Sequence, residues 1–128
     1  MTTHTVRPAT VTLAAGADVL AVLVFAAVGR GSHAEVMNPQ GVLVTALPFL
    51  LGLFVGWLAG RAWREPLRWL IGVAVWLGAV VVGLGVRAAV THRLPLTFVL
   101  VAAASMALFL LGWRAIARVL ARAHHQNA

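Results

Sequence analysis

The chain alternates four long apolar stretches with short polar connections. The apolar stretches cover residues 10–28, 41–60, 69–90 and 96–113. Each has roughly the 20 residues that a helix needs to cross a hydrocarbon core about 30 Å thick. Because backbone groups in lipid must satisfy their hydrogen bonds internally, the pattern predicts four membrane-spanning helices. Short connections make consecutive helices antiparallel, so the predicted fold is all-α, an integral membrane four-helix up-down-up-down bundle.

Composition agrees with this interpretation. Of the 128 residues, 62% are hydrophobic and only 10% are charged, with a mean hydropathy of +0.95. We therefore expect a single membrane domain over residues 1–128, ending in a basic tail at 114–128. The chain contains no cysteine, which excludes disulfides and thiolate metal sites. None of the five histidines lies in a predicted span, so we predict no haem and no other cofactor.

All ten basic residues are arginine, and the net charge is +7. They lie at helix ends and in connections, which favours membrane topology over a nucleic-acid partner as their explanation. One side of the predicted membrane collects Arg7, Arg61, Arg64, Arg68, Arg114, Arg118 and Arg122, and the other collects Arg30, Arg87 and Arg93. This imbalance predicts that both termini are cytoplasmic.

A competing interpretation makes the first span a signal peptide. Ser32-His33-Ala34 has small residues in positions that resemble a cleavage site. However, Asp18 interrupts the apolar region and Arg30 precedes the cleavage-like segment, and both features argue against a signal peptide.

Asp18 is the only acidic residue inside a predicted span. An ionised side chain there costs several kcal/mol unless it is solvated, paired or protonated, so we expect Asp18 to face the interior. Counting residues from the inner helix ends places Trp76 and Ser105 at a comparable depth, where their N–H and O–H groups could satisfy the carboxylate. Two hypotheses follow: a structural polar layer, or a small proton-coupled transporter that uses Asp18.

Polar residues also cluster on the predicted outer side. Arg30, His33, Glu35 and Arg87 form a candidate site for a phosphate headgroup, because arginine supplies forked donors. His33 and Glu35 could act as acid and base, which gives the hypothesis of a lipid-modifying enzyme. The alternative is an ordinary polar loop without a binding role.

Three further patterns concern packing and the membrane surface. Gly52, Gly56 and Gly60 recur every four residues and predict a close helix contact, with the first or fourth helix rather than with a second copy. Arg114, Arg118 and Arg122 also recur every four residues and predict contact with anionic headgroups along an extension of the last helix. Four tryptophans near the inner boundary predict an interfacial belt: Trp57, Trp63, Trp69 and Trp113.

Several stretches in order carry a family resemblance. They are Asp18-Val19-Leu20, Phe25-Ala26, Gly29-Arg30-Gly31-Ser32-His33, Pro48-Phe49-Leu50, Gly56-Trp57, Val75-Trp76-Leu77 and Leu111-Gly112-Trp113-Arg114. Over roughly residues 14–118 the chain resembles the bacterial family called domain of unknown function 3054. The resemblance implies a small integral membrane protein without an established activity. From the residues we expect a noncatalytic accessory component that acts through helix packing, a membrane-protein partner or homo-oligomer formation.

Overall fold

The computed structural model describes residues 7–32 and 38–126, with backbone alone at 31, 32 and 124–126. Four helices account for most of this part: α1 Pro8–Ser32, α2 Pro39–Gly60, α3 Trp69–Thr91 and α4 Leu96–Gln126. All four are long and apolar enough to cross a membrane. The predicted all-α class is confirmed, since the described residues contain no strand. The protein is therefore a multi-pass membrane protein.

Local chemistry sets the helix boundaries. The side chain of Asn38 caps α2 by accepting a hydrogen bond from the backbone N–H of Gly41. Pro39 occupies the first turn, where a backbone N–H would have no partner within the helix, so its missing N–H costs no hydrogen bond. Arg61 and His92 adopt left-handed conformations, with φ of 51° and 57°, directly after α2 and α3. In each case the cap N–H donates back to a carbonyl of the last turn. These caps turn the chain at opposite ends of the bundle.

The last helix is longer than the apolar pattern alone indicates. The predicted fourth span ends at residue 113, whereas α4 continues without interruption to Gln126. Residues 114–126 of the predicted basic tail are therefore helical. We call the end formed by the start of α1, the 61–68 connection and the last turns of α4 the inner end, after the predicted topology. The opposite end carries the 92–95 connection and is the outer end.

The helices pack in a ring. Within the described part of the chain, α1 packs against α2 and α4, α3 packs against the same two helices, and the diagonal pairs have no close backbone contact. The tightest pair is α2 with α3. A side chain added at Gly52 would lie 2.6 Å from the carbonyl oxygen of Gly78, and one at Gly56 would lie 2.9 Å from Cα of Val75. The absence of side chains lets the two backbones approach.

The glycine pattern therefore identified a contact surface, but the predicted partner helix was wrong. Gly52 and Gly56 lie against α3. A Cβ added at Gly60 would lie 3.1 Å from Cβ of Ala74, which also belongs to α3. The atoms nearest to all three glycines belong to α3, and none belongs to α1 or α4. The reason is that Gly78 of α3 provides a matching depression, so glycine meets glycine.

Aromatic side chains fill the outer half of the core. Phe49 of α2 is fully buried, and its ring lies 5.1 Å from that of Phe25 and 6.4 Å from that of Phe98. Gly83 of α3 leaves the space that the Phe49 ring occupies. Three helices thus contact one phenylalanine, while the inner half of the core is organised around a charged group.

Candidate functional site

Asp18 lies in the interior of the bundle with its side chain fully buried. The carboxylate accepts four hydrogen bonds. Its Oδ1 accepts from Trp113 Nε1 and Arg114 Nη1, both at 2.7 Å. Its Oδ2 accepts from Trp57 Nε1 and Arg114 Nη2, also at 2.7 Å. We call these four residues the Asp18 cluster.

Arg114 is the counter-ion of Asp18 and is also fully buried. Its Nη1 and Nη2 donate parallel hydrogen bonds to the two carboxylate oxygens. Arginine can form this bidentate geometry and lysine cannot. Nε donates to the carbonyl oxygen of Pro66 at 2.8 Å, and Nη1 donates again to that of Leu110 at 3.0 Å. The guanidinium carbon also lies 4.6 Å from the ring centroid of Trp113.

All four helices shape this cluster. Asp18 comes from α1, Trp57 from the last turn of α2, and Trp113 and Arg114 from α4. Helix α3 makes room for the Arg114 side chain through Gly72, because a Cβ at that position would lie only 2.8 Å from Arg114 Cδ. The cluster therefore joins α1 to α4 directly and extends to the 61–68 connection through Pro66.

The carboxylate has no acceptor site left. An ionised carboxylate offers about four lone-pair positions, and four donors occupy them here. No buried side-chain nitrogen or oxygen of a described residue lacks a hydrogen-bond partner. In the described part of the chain, no three His, Cys, Asp or Glu side chains assemble into a metal-binding group. Chemically, the cluster is a saturated ion pair.

The structure replaces the predicted partners of Asp18. Trp76 donates its indole N–H to the carbonyl oxygen of Ala103 at 2.9 Å and so ties α3 to α4, away from the carboxylate. Ser105 lines a cleft in the outer half of the bundle. Trp57 and Trp113, assigned by sequence to an interfacial belt, are instead the two indole donors.

The three arginines predicted to contact headgroups, Arg114, Arg118 and Arg122, lie in different environments. Assigning Arg114 to anionic headgroups was wrong, because its side chain is fully buried against Asp18. Arg118 is half-buried and donates to the carbonyl oxygen of Leu67 at 3.3 Å, and Arg122 is exposed. Both line a shallow groove of about 190 Å³ beside Trp69.

At the outer end, the structure describes two of the four residues of the predicted polar cluster, Arg30 and Arg87. His33 and Glu35 lie outside the described residues. Arg30 donates through Nη1 to Thr45 Oγ1 of α2 at 3.2 Å. Arg87 instead lies over the ring of Phe98 on α4, with its guanidinium carbon 4.4 Å from the ring centroid. The two arginines therefore pack against different neighbouring helices.

Sequence reasoning missed Trp57, Trp113 and Arg114 as partners of Asp18. A signal was present, because all four members of the Asp18 cluster lie in the stretches that carry the family resemblance. Asp18 opens one stretch, Gly56-Trp57 is another, and Trp113-Arg114 closes a third. Reading those stretches as one constellation would have placed the acid beside its donors.

Comparison with known proteins gives a family and no activity. The chain belongs to the family described as "Protein of unknown function (DUF3054)", whose model matches residues 15–117. That match spans the whole Asp18 cluster, all of α2 and α3, and most of α1 and α4. No curated protein and no solved structure matches the chain.

Proposed function

We propose that this member of the family is a noncatalytic accessory component of the bacterial plasma membrane, in which the Asp18 cluster holds the four helices together. One observation carries the proposal: the Asp18 carboxylate uses all of its acceptor positions on donors of the same chain. A group in this state stabilises the fold, and it offers no position for a substrate.

The same geometry counts against a proton-coupled transporter built on Asp18. A carrier of protons or cations must exchange partners and contact water during its cycle. Here Asp18 and Arg114 are both fully buried, and a cation approaching the carboxylate would have to displace Arg114. Displacement would also break the hydrogen bonds from Arg114 to Pro66 and Leu110. Arg114 already supplies the positive charge that a substrate would bring.

Infrared spectroscopy of the protein in lipid nanodiscs tests the proposal. Difference spectra between the protein and the Asp18→Asn variant isolate the Asp18 signal. We expect carboxylate bands that stay unchanged on addition of organic or metal cations, because Arg114 and the two indoles occupy every acceptor position. Glu65→Gln, which alters an exposed carboxylate at the inner end, serves as the matched control. Carboxylate bands that shift when a cation is added would overturn the proposal and favour transport.

The hypothesis of a lipid-modifying enzyme depends on the outer-end residues. It requires His33 or Glu35 to act on a headgroup held by Arg30 and Arg87. Arg30 is already bonded to Thr45 and Arg87 packs on Phe98. A lipid profile of cells with and without the gene tests this alternative: an altered headgroup composition that His33→Ala reproduces would favour the enzyme over an accessory role.

We also propose that two arginines at the inner end, Arg118 and Arg122, contact anionic lipid headgroups. Arg118 and Arg122 flank a groove with Trp69, which combines cationic donors and an aromatic ring at the expected headgroup level. Binding to vesicles that contain phosphatidylglycerol should report on them. Loss of affinity in the Arg118→Gln/Arg122→Gln variant supports this assignment. The control is Arg61→Gln/Arg64→Gln, which removes two exposed charges at the same end outside the groove, and an equal loss in the control opposes the assignment.

A further inference from the structure

A cleft of about 540 Å³ opens in the outer half of the bundle. Its size falls in the range typical of sites for small ligands. Helices α1 and α4 form its two long walls, and the end of α3 with the 92–95 connection forms its outer rim. Both walls belong to segments long and apolar enough to lie in the membrane. The cleft is separate from the Asp18 cluster, and none of the four cluster residues lines it.

The walls of the cleft are apolar, and the cleft opens at the side of the bundle. Phe25 and Val28 line it from α1, and Phe98, Val101 and Phe109 line it from α4. Val28 and Val101 are 57% and 61% exposed, so the cleft is open sideways between the two helices. In a bilayer this opening gives access to acyl chains. A purely polar solute would gain little from such walls.

The rim is cationic. Arg87 and Arg93 line it, and no acidic side chain of a described residue does. The Arg87 guanidinium stacks on Phe98 and makes no hydrogen bond to a described residue. Two of the chain's three acids are committed elsewhere, since Asp18 pairs with Arg114 and Glu65 lies 3.4 Å from Arg68 at the inner end. A half-buried arginine at the membrane boundary is stabilised by an anion that accepts its forked N–H groups.

We propose that this cleft binds a membrane lipid with an anionic phosphate headgroup. The phosphate accepts hydrogen bonds from Arg87 and Arg93 at the rim. One acyl chain lies along the phenylalanines between α1 and α4. Apolar walls, lateral access and a cationic rim together favour an amphiphile over free phosphate. This proposal goes beyond the accessory role above, and it stands whether or not the Asp18 cluster is purely structural.

The chain offers variants that test the wall and the rim separately. Gly29 lines the cleft, and nothing lies within 4 Å of the position of its absent Cβ. Gly29→Leu therefore fills the cleft without a clash in the core. Gly85→Leu is the matched control, because Gly85 has equally open space and does not line the cleft. For the rim, Arg87→Gln and Arg93→Gln are paired with Arg64→Gln, which removes the same charge at the inner end.

Native mass spectrometry of the full chain in detergent measures lipid retention directly. Phosphatidylglycerol, phosphatidylcholine and inorganic phosphate are added in separate titrations. We expect phosphatidylglycerol to bind roughly tenfold or more tightly than phosphatidylcholine, because charge-assisted hydrogen bonds distinguish them. Arg87→Gln and Arg93→Gln should each reduce that preference, and Gly29→Leu should reduce retention of phosphatidylglycerol. Gly85→Leu and Arg64→Gln should leave both unchanged.

Three results would overturn the proposal. Equal retention of the two lipids would show that the rim does not select an anion. An equal effect of Arg64→Gln would show that net charge, and not the rim, attracts the lipid. Inorganic phosphate binding as tightly as phosphatidylglycerol, with Gly29→Leu without effect, would assign the arginines to a free anion and leave the cleft without an occupant. Because none of these variants touches Asp18, the infrared experiment can fail independently.

Discussion

Asp18 and Arg114 form a two-pronged ion pair between the first and the last helix, with both N···O distances at 2.7 Å and both side chains fully buried. Burial of two charges is expensive, and their attraction offsets that cost only when the remaining hydrogen-bond positions are also filled. The indoles of Trp57 and Trp113 and the carbonyls of Pro66 and Leu110 fill them. The pair is thus one part of a complete network.

A double-mutant cycle should show strong coupling within this pair. Asp18→Asn leaves the Arg114 charge buried without its counter-ion, and Arg114→Gln does the same to Asp18. Each single substitution should lower the free energy of unfolding by about 3–5 kcal/mol, and the double substitution by clearly less than the sum. Reversible unfolding in mixed micelles measures all three. The exposed pair Glu65 and Arg68 is the control, and its cycle should be close to additive. Additive losses at Asp18 and Arg114 would contradict the network.

Removing one indole donor should also be costly. Trp57→Phe and Trp113→Phe each keep most of the aromatic volume and delete one N–H that the buried carboxylate accepts. We expect each to lower the free energy of unfolding by about 1–3 kcal/mol. Trp69→Phe is the matched control, since Trp69 is 47% exposed and makes no side-chain hydrogen bond to a described residue. If all three substitutions had the same effect, loss of ring area would explain it better than the hydrogen bonds.

The glycine contact between α2 and α3 should not tolerate a methyl group. Gly56→Ala places Cβ 2.9 Å from Cα of Val75, where backbone and not a flexible side chain must move. We expect a clear loss of stability, in the range of about 1–3 kcal/mol typical of overpacked cores. Gly85→Ala, where nothing lies within 4 Å, should be neutral or slightly stabilising. Thermal unfolding in detergent compares the two. A tolerated Gly56→Ala would mean that the helices lie farther apart.

The arginine distribution predicts which connection faces the cytoplasm. Because the chain has no cysteine, a single introduced thiol reports its own location. Leu94→Cys, in the exposed 92–95 connection, should react with a membrane-impermeant maleimide in intact spheroplasts. Arg64→Cys, in the exposed 61–68 connection, should react only after lysis. The reverse pattern would invert the predicted topology, and it would place the cleft in the inner leaflet.

Hydropathy was sufficient to predict the number of helices and their class, because the length of a span is set by the membrane. It was not sufficient to predict their relative depth. Asp18 is ten residues from Pro8, and Trp57 is three residues from Gly60, yet the two side chains are in contact. The start of α1 therefore extends roughly 10 Å beyond the end of α2 at 1.5 Å per residue. Depth counted from helix ends assumed level ends, and it selected Trp76 for that reason.

Arginine spacing was misleading for a related reason. Four residues advance a helix by slightly more than one turn, so Arg114 and Arg122 differ in direction by about 80°. Over eight residues a repeat of four therefore turns part of the way around the helix, which allowed Arg114 to point inward while Arg122 is exposed. The pattern also offered no means of telling a topology-setting arginine from a counter-ion. That distinction requires knowing that an acid from another helix lies opposite.

The separation of Asp18 and Arg114 along the chain has a consequence for biosynthesis. Arg114 follows Asp18 by 96 positions, which corresponds to about 5–20 s of translation at the usual rates. During that interval the first span is made and Arg114 is not. Trp57, only 39 positions away, is the earliest partner to be synthesised. Until the fourth span is made, the α1–α2 hairpin can therefore fill only one of the four acceptor positions of the buried carboxylate, so the fold is complete only after Trp113 and Arg114 have been synthesised.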